Sequence, residues 1–494
     1  MIGVMTLRIK CYSMTGGLLL AASGLFISEA VATERYAEMS SCELSVAGGR
    51  LTASALCGRF EVPENPDDPN GRMIELAYAV SPARAGRGLA DPVFFLAGGP
   101  GQSARDILPV MRMALRDVNR DRDLVFLDQR GTGGSNKLDC PFEDPEDWLD
   151  LDYEEINRQL QSCQQDWAAD VRFYTTSHAI HDLEALRERH GFEQVNLIGG
   201  SYGSRVAQVY LRRHPERIRS VVIDGVVPTR LQLGSEHGLK LDQTLEGLFE
   251  ACANDPTCNE TFPALAEAFT ALVNRYSESA QHLIVTHPRT GQGMDLRFTR
   301  DVLASALRFL SYGPQSQMMI PYLVHEAAAT GDPSRIATQA LIVHEQMDEM
   351  IAIGLNFAVG CSEDWPEWPA IDQSHTLLGN SMSEFYEQVC AWWPAGDVPA
   401  DFHTPFDSEV PILILSGQHD PVTPPEYGDE AAAQYSNSVH LVGAGLGHIV
   451  LTHPCFGGIV YEFVTRAETD DLDTECMAAL GQEPFFLDLL GPAP

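Results

Sequence analysis

The sequence predicts an α/β fold: a mostly parallel central sheet with helices on both faces, split by a mostly helical insertion. Three observations predict it. Short, wholly apolar runs alternate with amphipathic stretches in the first half of the chain, the pattern changes after Pro228, and sheet-like runs resume at Pro411. Runs without a polar face belong to strands covered on both sides, which is the condition of a parallel sheet.

The elements follow in order. Arg8 and Lys10 form a short basic region, an apolar stretch runs from Gly16 to Ile27, and Ala30-Val31-Ala32 offers the small residues a signal peptidase requires. That stretch is well short of the ~20 residues a spanning helix needs, and no Cys follows it closely enough for lipid attachment. Residues 1–32 are therefore read as a signal peptide. The expected protein is exported, periplasmic or secreted, with no stable membrane anchor after cleavage.

Cleavage also changes the cysteine arithmetic. Of 11 Cys, Cys11 leaves with the signal. The rest fall in neighbouring couples: Cys42/Cys57, Cys140/Cys163, Cys252/Cys258, Cys361/Cys390 and Cys455/Cys476. Sequential pairing into disulfides is the simplest expectation, although spacing alone leaves connectivity open. No CxxC is present, so neither zinc nor redox chemistry is indicated.

The strand-like runs are Val93–Leu96, Leu124–Leu127, Val195–Ile198 and Ser220–Ile223, with amphipathic segments such as His181–His190 between them. Residues from about 230 to 400 read as helical and irregular. Runs return at Pro411–Leu415 and Val439–Val442. The expected organisation is a catalytic domain in two parts, 33–229 and 406–494, around a cap insertion at 230–405. The 44% hydrophobic content supports a sizeable core. With 33 Lys+Arg against 69 Asp+Glu, formal charge −36, nucleic acid is excluded as a partner.

The chemistry is carried by Gly199-Gly200-Ser201-Tyr202-Gly203, which follows the Val195–Ile198 run and opens a helix. In that setting a G-x-S-x-G is a nucleophile elbow. Small neighbours permit a sharp turn, the Ser201 hydroxyl projects above the sheet, and the helix N-terminus favours developing negative charge. A serine nucleophile needs a base held by an acid. His448, in Gly445-Leu446-Gly447-His448, follows the last apolar run, and Asp420, in His419-Asp420-Pro421, follows the run before it. Loops at the C-terminal ends of parallel strands carry such groups. His440 lies within a strand, His453 lies beyond the loop and His419 sits in the acid's slot. Ser201, Asp420 and His448 are thus the expected triad, in the chain order of α/β-hydrolases.

Acyl transfer also needs oxyanion donors. One is the backbone N–H of Tyr202. The other comes from Ala97-Gly98-Gly99-Pro100-Gly101, where Pro100 has no N–H; of Gly98 and Gly99, Gly99 is favoured. Asp128–Ser135 lacks the spacing of a nucleotide-binding loop and is read as a buttress for the elbow through Asp128 and Arg130. No cofactor and no metal is expected.

Five motifs together carry a resemblance: GGPGQSA (Gly98–Ala104), DQRGTGGS (Asp128–Ser135), GGSYG (Gly199–Gly203), GQHDPVTPP (Gly417–Pro425) and the Gly445–His448 motif. In this order, over roughly residues 93 to 450, the sequence resembles the proline iminopeptidase and tripeptidyl aminopeptidase group of exported α/β-hydrolase serine peptidases. The resemblance implies the α/β-hydrolase fold, the triad above and a helical cap inserted before the acid-bearing strand. One departure is Ala97, where the iminopeptidases usually carry His before the GGPG motif, so strict prolyl specificity is not implied.

The resemblance also draws attention to Cys361-Ser362-Glu363-Asp364-Trp365, similar to the family's acidic segment. Glu363 and Asp364 are the candidates for binding a substrate ammonium, against the competing reading of a solvated surface pair. Trp365, Trp368, Trp392 and Trp393 stand as pocket lining or as cap core. The expected substrate is a peptide or small ester. The activity is release of residues or short peptides from free N-termini, with an esterase or a non-catalytic binding protein as alternatives.

Overall fold

In the computed structural model, described for residues 35–46, 49, 51–86, 88–141 and 153–492, the apolar runs become the middle of one sheet. The fold is built from Glu38 onward, and residues 1–32, read from the sequence as a signal peptide, lie outside the described residues. Three antiparallel strands come first: Ser40–Ser45 (β1), Thr52–Pro63 (β2) and Met73–Ser81 (β3). The run pattern does not predict them, because much of β1 and β2 is only half-covered and carries alternation rather than runs.

Beyond them lie Val93–Leu96 (β4), Leu124–Leu127 (β5), Val195–Gly200 (β6) and Ile218–Asp224 (β7). A separate antiparallel hairpin, Gln281–Thr286 (β8) with Gly293–Phe298 (β9), precedes Ile412–Gly417 (β10) and Ser438–Gly443 (β11). The main sheet runs β1-β2-β3-β5-β4-β6-β7-β10-β11, and every pair from β5 to β11 is parallel. Leu413 pairs in register with Val222. The chain therefore leaves the sheet after β7 and re-enters it directly beside β7.

Both faces of the sheet are covered. Leu108 and Met111 of the helix Ala104–Ala114, and Phe456 and Val460 of the helix Pro454–Arg466, pack on Phe95, Phe126, Ile198 and Val222. The alternate residues Phe94, Val125, Leu197 and Val221 are equally buried. That double burial is why these strands read as unbroken apolar runs.

The segment between β7 and β10 has a core of its own, including Leu241, Leu245, Leu307, Val324 and Phe298. It is mostly helical, but it also holds the β8–β9 hairpin, which the helical and irregular reading of residues 230 to 400 does not include. Its alternation is legible in hindsight: Leu283 and Val285 face inward, while His282 and Ile284 face solvent. The ten cysteines pair sequentially into five disulfides. Among the described residues, no helix is long and apolar enough to cross a membrane.

Candidate active site

The elbow sits directly at the end of β6, between that strand and the next helix. Ser201 adopts φ 54° and ψ −125°, a strained backbone for a non-glycine residue that only a well-packed surround sustains. The neighbours must be bare: a Cβ on Gly203 would lie 2.1 Å from the Leu96 carbonyl oxygen. The Ser201 N–H donates to the Asp224 carbonyl at 2.9 Å, and the helix Tyr202–Arg213 starts immediately after.

The loop after β4 lies against the serine, since a Cβ on Gly98 would sit 3.2 Å from Ser201 Cβ. The Gly98 N–H is committed to Gln102 Oε1 at 3.2 Å. What braces this loop is Asp128. Its carboxylate accepts from Ser103 Oγ (2.8 Å), Arg105 N (3.0 Å) and Gly134 N (2.9 Å), and burial pushes its pKa up. Arg130 forms a bidentate pair with Asp182, both bonds at 2.7 Å. The Asp128–Ser135 segment thus stiffens the loop beside the serine. It reaches the elbow's own side chains through Gln129 Nε2, which donates to the Tyr202 hydroxyl at 3.1 Å.

Asp420, after β10, and His448, after β11, are brought together. His448 Nδ1 and Asp420 Oδ2 are 2.8 Å apart. Val422 N and Thr423 N donate to Asp420 Oδ1, and the Thr423 hydroxyl donates to Oδ2. Burial opposes the charge on Asp420, but His448 and these donors outweigh it and hold the carboxyl below its ordinary range. Burial likewise disfavours the imidazolium, yet the adjacent Asp420 leaves the His448 pKa raised. Two of the other candidate histidines are occupied elsewhere: His440 bonds Asp429 and Ser416, and His453 caps a helix.

Several residues that hold His448 escape sequence reasoning. The insertion supplies Tyr312, whose carbonyl accepts from His448 N at 2.8 Å and whose ring meets the imidazole edge-to-face at 5.0 Å. Gln317 Nε2 donates to the His419 carbonyl at 2.7 Å. Asp224, at the end of β7, accepts from Val450 N (3.1 Å) and Leu451 N (2.8 Å). Between them and His448 lies Ile449 at φ 68°, a costly conformation for a β-branched residue. Asp224 thus pins a strained turn next to the imidazole. Burial pushes its pKa up to about 6, with the two N–H donors pulling the other way.

With His448 as the expected base, Asp224→Asn is expected to lower kcat roughly 10- to 100-fold with little change in KM, because a small displacement of such a group costs that much. Its negative charge also favours the His448 imidazolium, so the acid limb of the pH–rate profile should move to lower pH. Unchanged kcat and an unmoved limb would reject this role.

Glu363 and Asp364 are not a solvated surface pair; they are 2% and 0% exposed. The Thr176 N–H and hydroxyl donate to Glu363. Arg205 Nη1 and the Leu233 N–H each donate to Asp364 Oδ1 at 2.9 Å. Burial pushes the Glu363 carboxyl up to about 7 and raises Asp364 as well, against the pull of Arg205. Thr176 also bonds the Tyr202 hydroxyl at 2.7 Å, so the pair is tied to the elbow helix.

A cavity of about 340 Å³ opens over Gly99 and Pro100, walled by Leu233, Phe357, Phe385 and Tyr386 among others. Glu363 and Asp364 stand one layer behind Leu233 rather than on this wall. The tryptophans also form a second layer: Trp368 stacks on Tyr386 and Trp393 packs on Phe357.

Comparison with known proteins agrees with this architecture. The α/β-hydrolase fold model matches residues 91–318, and the TAP-like protein model matches residues 375–476. The chain is similar to serine protease Hip1 of Mycobacterium tuberculosis, 24% identical over 89% of this chain and 90% of the relative. It is 23% identical to tripeptidyl aminopeptidase of Streptomyces lividans, over 92% of this chain and 89% of the relative. It is 27% identical to carboxylesterase B of M. tuberculosis, over 80% of this chain and 81% of the relative.

Proposed function

Since the chain has the α/β-hydrolase fold and carries a TAP-like segment, we propose that it is an exported serine peptidase. It releases residues or short peptides from free N-termini through an acyl-enzyme on Ser201. The observation that carries this reading is the buried Asp420–His448 hydrogen bond, together with a strained elbow serine. Likeness to a tripeptidyl aminopeptidase over 92% of the chain supports the peptidase class, and five disulfides support export.

In this mechanism Ser201 Oγ attacks the scissile carbonyl while His448 Nε2 takes its proton. Asp420 fixes the imidazole tautomer through Nδ1 and stabilises the imidazolium. The Tyr202 N–H and the Gly99 N–H receive the oxyanion; the engagement of the Gly98 N–H with Gln102 supports Gly99 as the second donor. His448 then protonates the leaving amine, and water, activated by the same imidazole, hydrolyses the acyl-enzyme. From behind Leu233, Glu363 and Asp364 supply negative potential for the substrate ammonium.

A second reading, an esterase on the same triad, is favoured by the likeness to carboxylesterase B. Peptide p-nitroanilides with free and acetylated amines, assayed beside simple esters, separate the two. Free-amine peptides are expected to exceed their acetylated forms in kcat/KM by at least about 100-fold, the scale of a hydrogen bond to a charged group. Equal turnover of both overturns the exopeptidase reading, and turnover of esters alone establishes the second.

A further inference from the structure

The cavity over Gly99 and Pro100 carries a cation for which the reaction has no use. Arg308, near the end of the helix Arg300–Leu310 in the insertion, is one of its lining residues, and so is His237. Arg308 Nη2 lies 3.0 Å from His237 Nδ1. A guanidinium only donates, so Nδ1 accepts and the His237 hydrogen sits on Nε2. Burial, reinforced by Arg308, holds the His237 pKa far below its usual value, which keeps this ring neutral.

Arg308 Nε is buried with no hydrogen-bond partner. Among the described residues, no carboxylate forms an ion pair with this guanidinium. The contrast with Arg205 is direct: that guanidinium is matched by Asp364 at 2.9 Å and Glu363 at 3.8 Å. The remaining polar side chains on the cavity wall, Asn356, Ser381 and Tyr386, are neutral, and no carboxylate lines it. Arg308 is half-buried as a residue, but its Nε is shut off from solvent and its guanidinium faces no carboxylate among the described residues, so an anion that reaches it is favoured. The cavity wall offers no anion, and it adjoins the Gly99–Pro100 loop, so a substrate carboxylate is the group placed to supply one.

We propose that Arg308, helped by the N–H of His237, is a specificity-determining subsite that binds a carboxylate of the substrate. The preferred substrates are then short peptides with an acidic side chain or a free C-terminus placed in this cavity. The inference rests on the peptidase reading above and sharpens its substrate class. Arginine suits the role because its planar donor fork matches both oxygens of a carboxylate.

The test uses the full-length enzyme and matched substrate pairs. One series exchanges Glu for Gln in the peptide, and a second exchanges a free C-terminal carboxylate for its amide. Each is assayed with a free and with an acetylated N-terminus, on wild type, Arg308→Gln and Arg308→Lys. In the wild type, kcat/KM is expected to favour the carboxylate member of one series by roughly 10- to 100-fold, the scale of a hydrogen bond to a charged group. The series that responds identifies the source of the carboxylate. Arg308→Gln should bring that ratio within about threefold of unity while leaving the amide substrates within about threefold of wild type. Arg308→Lys should retain part of the preference.

A wild-type ratio near one in both series overturns the proposal. So does an Arg308→Gln loss that falls equally on carboxylate and amide substrates, since that is the mark of a purely structural role. Carboxylate preference without free-amine preference sinks the exopeptidase reading and leaves the Arg308 subsite standing. No turnover of any substrate overturns both.

Discussion

Ser201→Ala is expected to lower kcat by on the order of 10⁵ to 10⁶, the cost of removing the nucleophile from a unit of interdependent groups. The fold should survive. Alanine carries the same Cβ as serine, so the backbone at φ 54° is no more strained than before, and the Ser201 N–H to Asp224 bond is a main-chain contact that remains. The measurement pairs single-turnover kinetics with thermal unfolding and fluorophosphonate labelling. Loss of labelling and turnover with an unchanged Tm is the expected pattern. Retained turnover in a folded Ser201→Ala protein means that another group attacks, and the elbow is then merely a turn.

Asp420→Asn carries the next largest effect, about 10⁴-fold in kcat. The asparagine oxygen can keep the Val422 and Thr423 N–H donors now on Oδ1. Its amide nitrogen then faces His448 Nδ1 and donates to it, which places the imidazole hydrogen on Nε2, where no proton can be accepted from Ser201. The pH dependence follows from the same pair. In the proposed mechanism a neutral His448 is the base, and its pKa is raised by Asp420. In the wild type, kcat/KM should therefore rise with pH through a midpoint above that of an ordinary imidazole. In Asp420→Asn the residual activity should rise at lower pH. A midpoint that does not move on removing the Asp420 charge would show that the observed limb belongs to another group.

Asp420 also links stability to pH. Its folded-state pKa is lowered, so its stabilisation is fully present above the ordinary Asp value. That stabilisation is lost as pH falls through the depressed one. Asp224 has the opposite sign. Its pKa is raised to about 6, so ionising it costs the folded state as pH rises from near 4 through 6, and the turn after His448 is held at that expense.

Much of this was legible in the residues. Wholly apolar runs at Val93–Leu96, Leu124–Leu127 and Val195–Ile198 mark strands buried on both faces, and each became a strand within a residue or two. The elbow glycines announce themselves because the turn leaves no room for a Cβ, and steric exclusion of that kind is a property of local sequence. The neighbouring cysteine couples likewise point to the pairs that form. Less legible were β1 and β2, whose alternating burial is a weak signal, and the β8–β9 hairpin, whose six-residue strands sit between helices.

What the sequence determined by itself is therefore local: which runs are strands, where the chain must turn sharply, and which Ser, Asp and His stand at strand ends. What only the tertiary structure decided is which distant groups meet. Tyr312 against His448, Asp224 with the turn after His448, Arg205 with Asp364, and Arg308 with His237 all join segments far apart in the chain. A carboxylate's role depends on burial and on the charge it faces, and neither is written in its neighbours along the chain. Glu363 and Asp364 look like any solvated acidic pair in the sequence, and packing alone makes them buried anchors of the elbow helix.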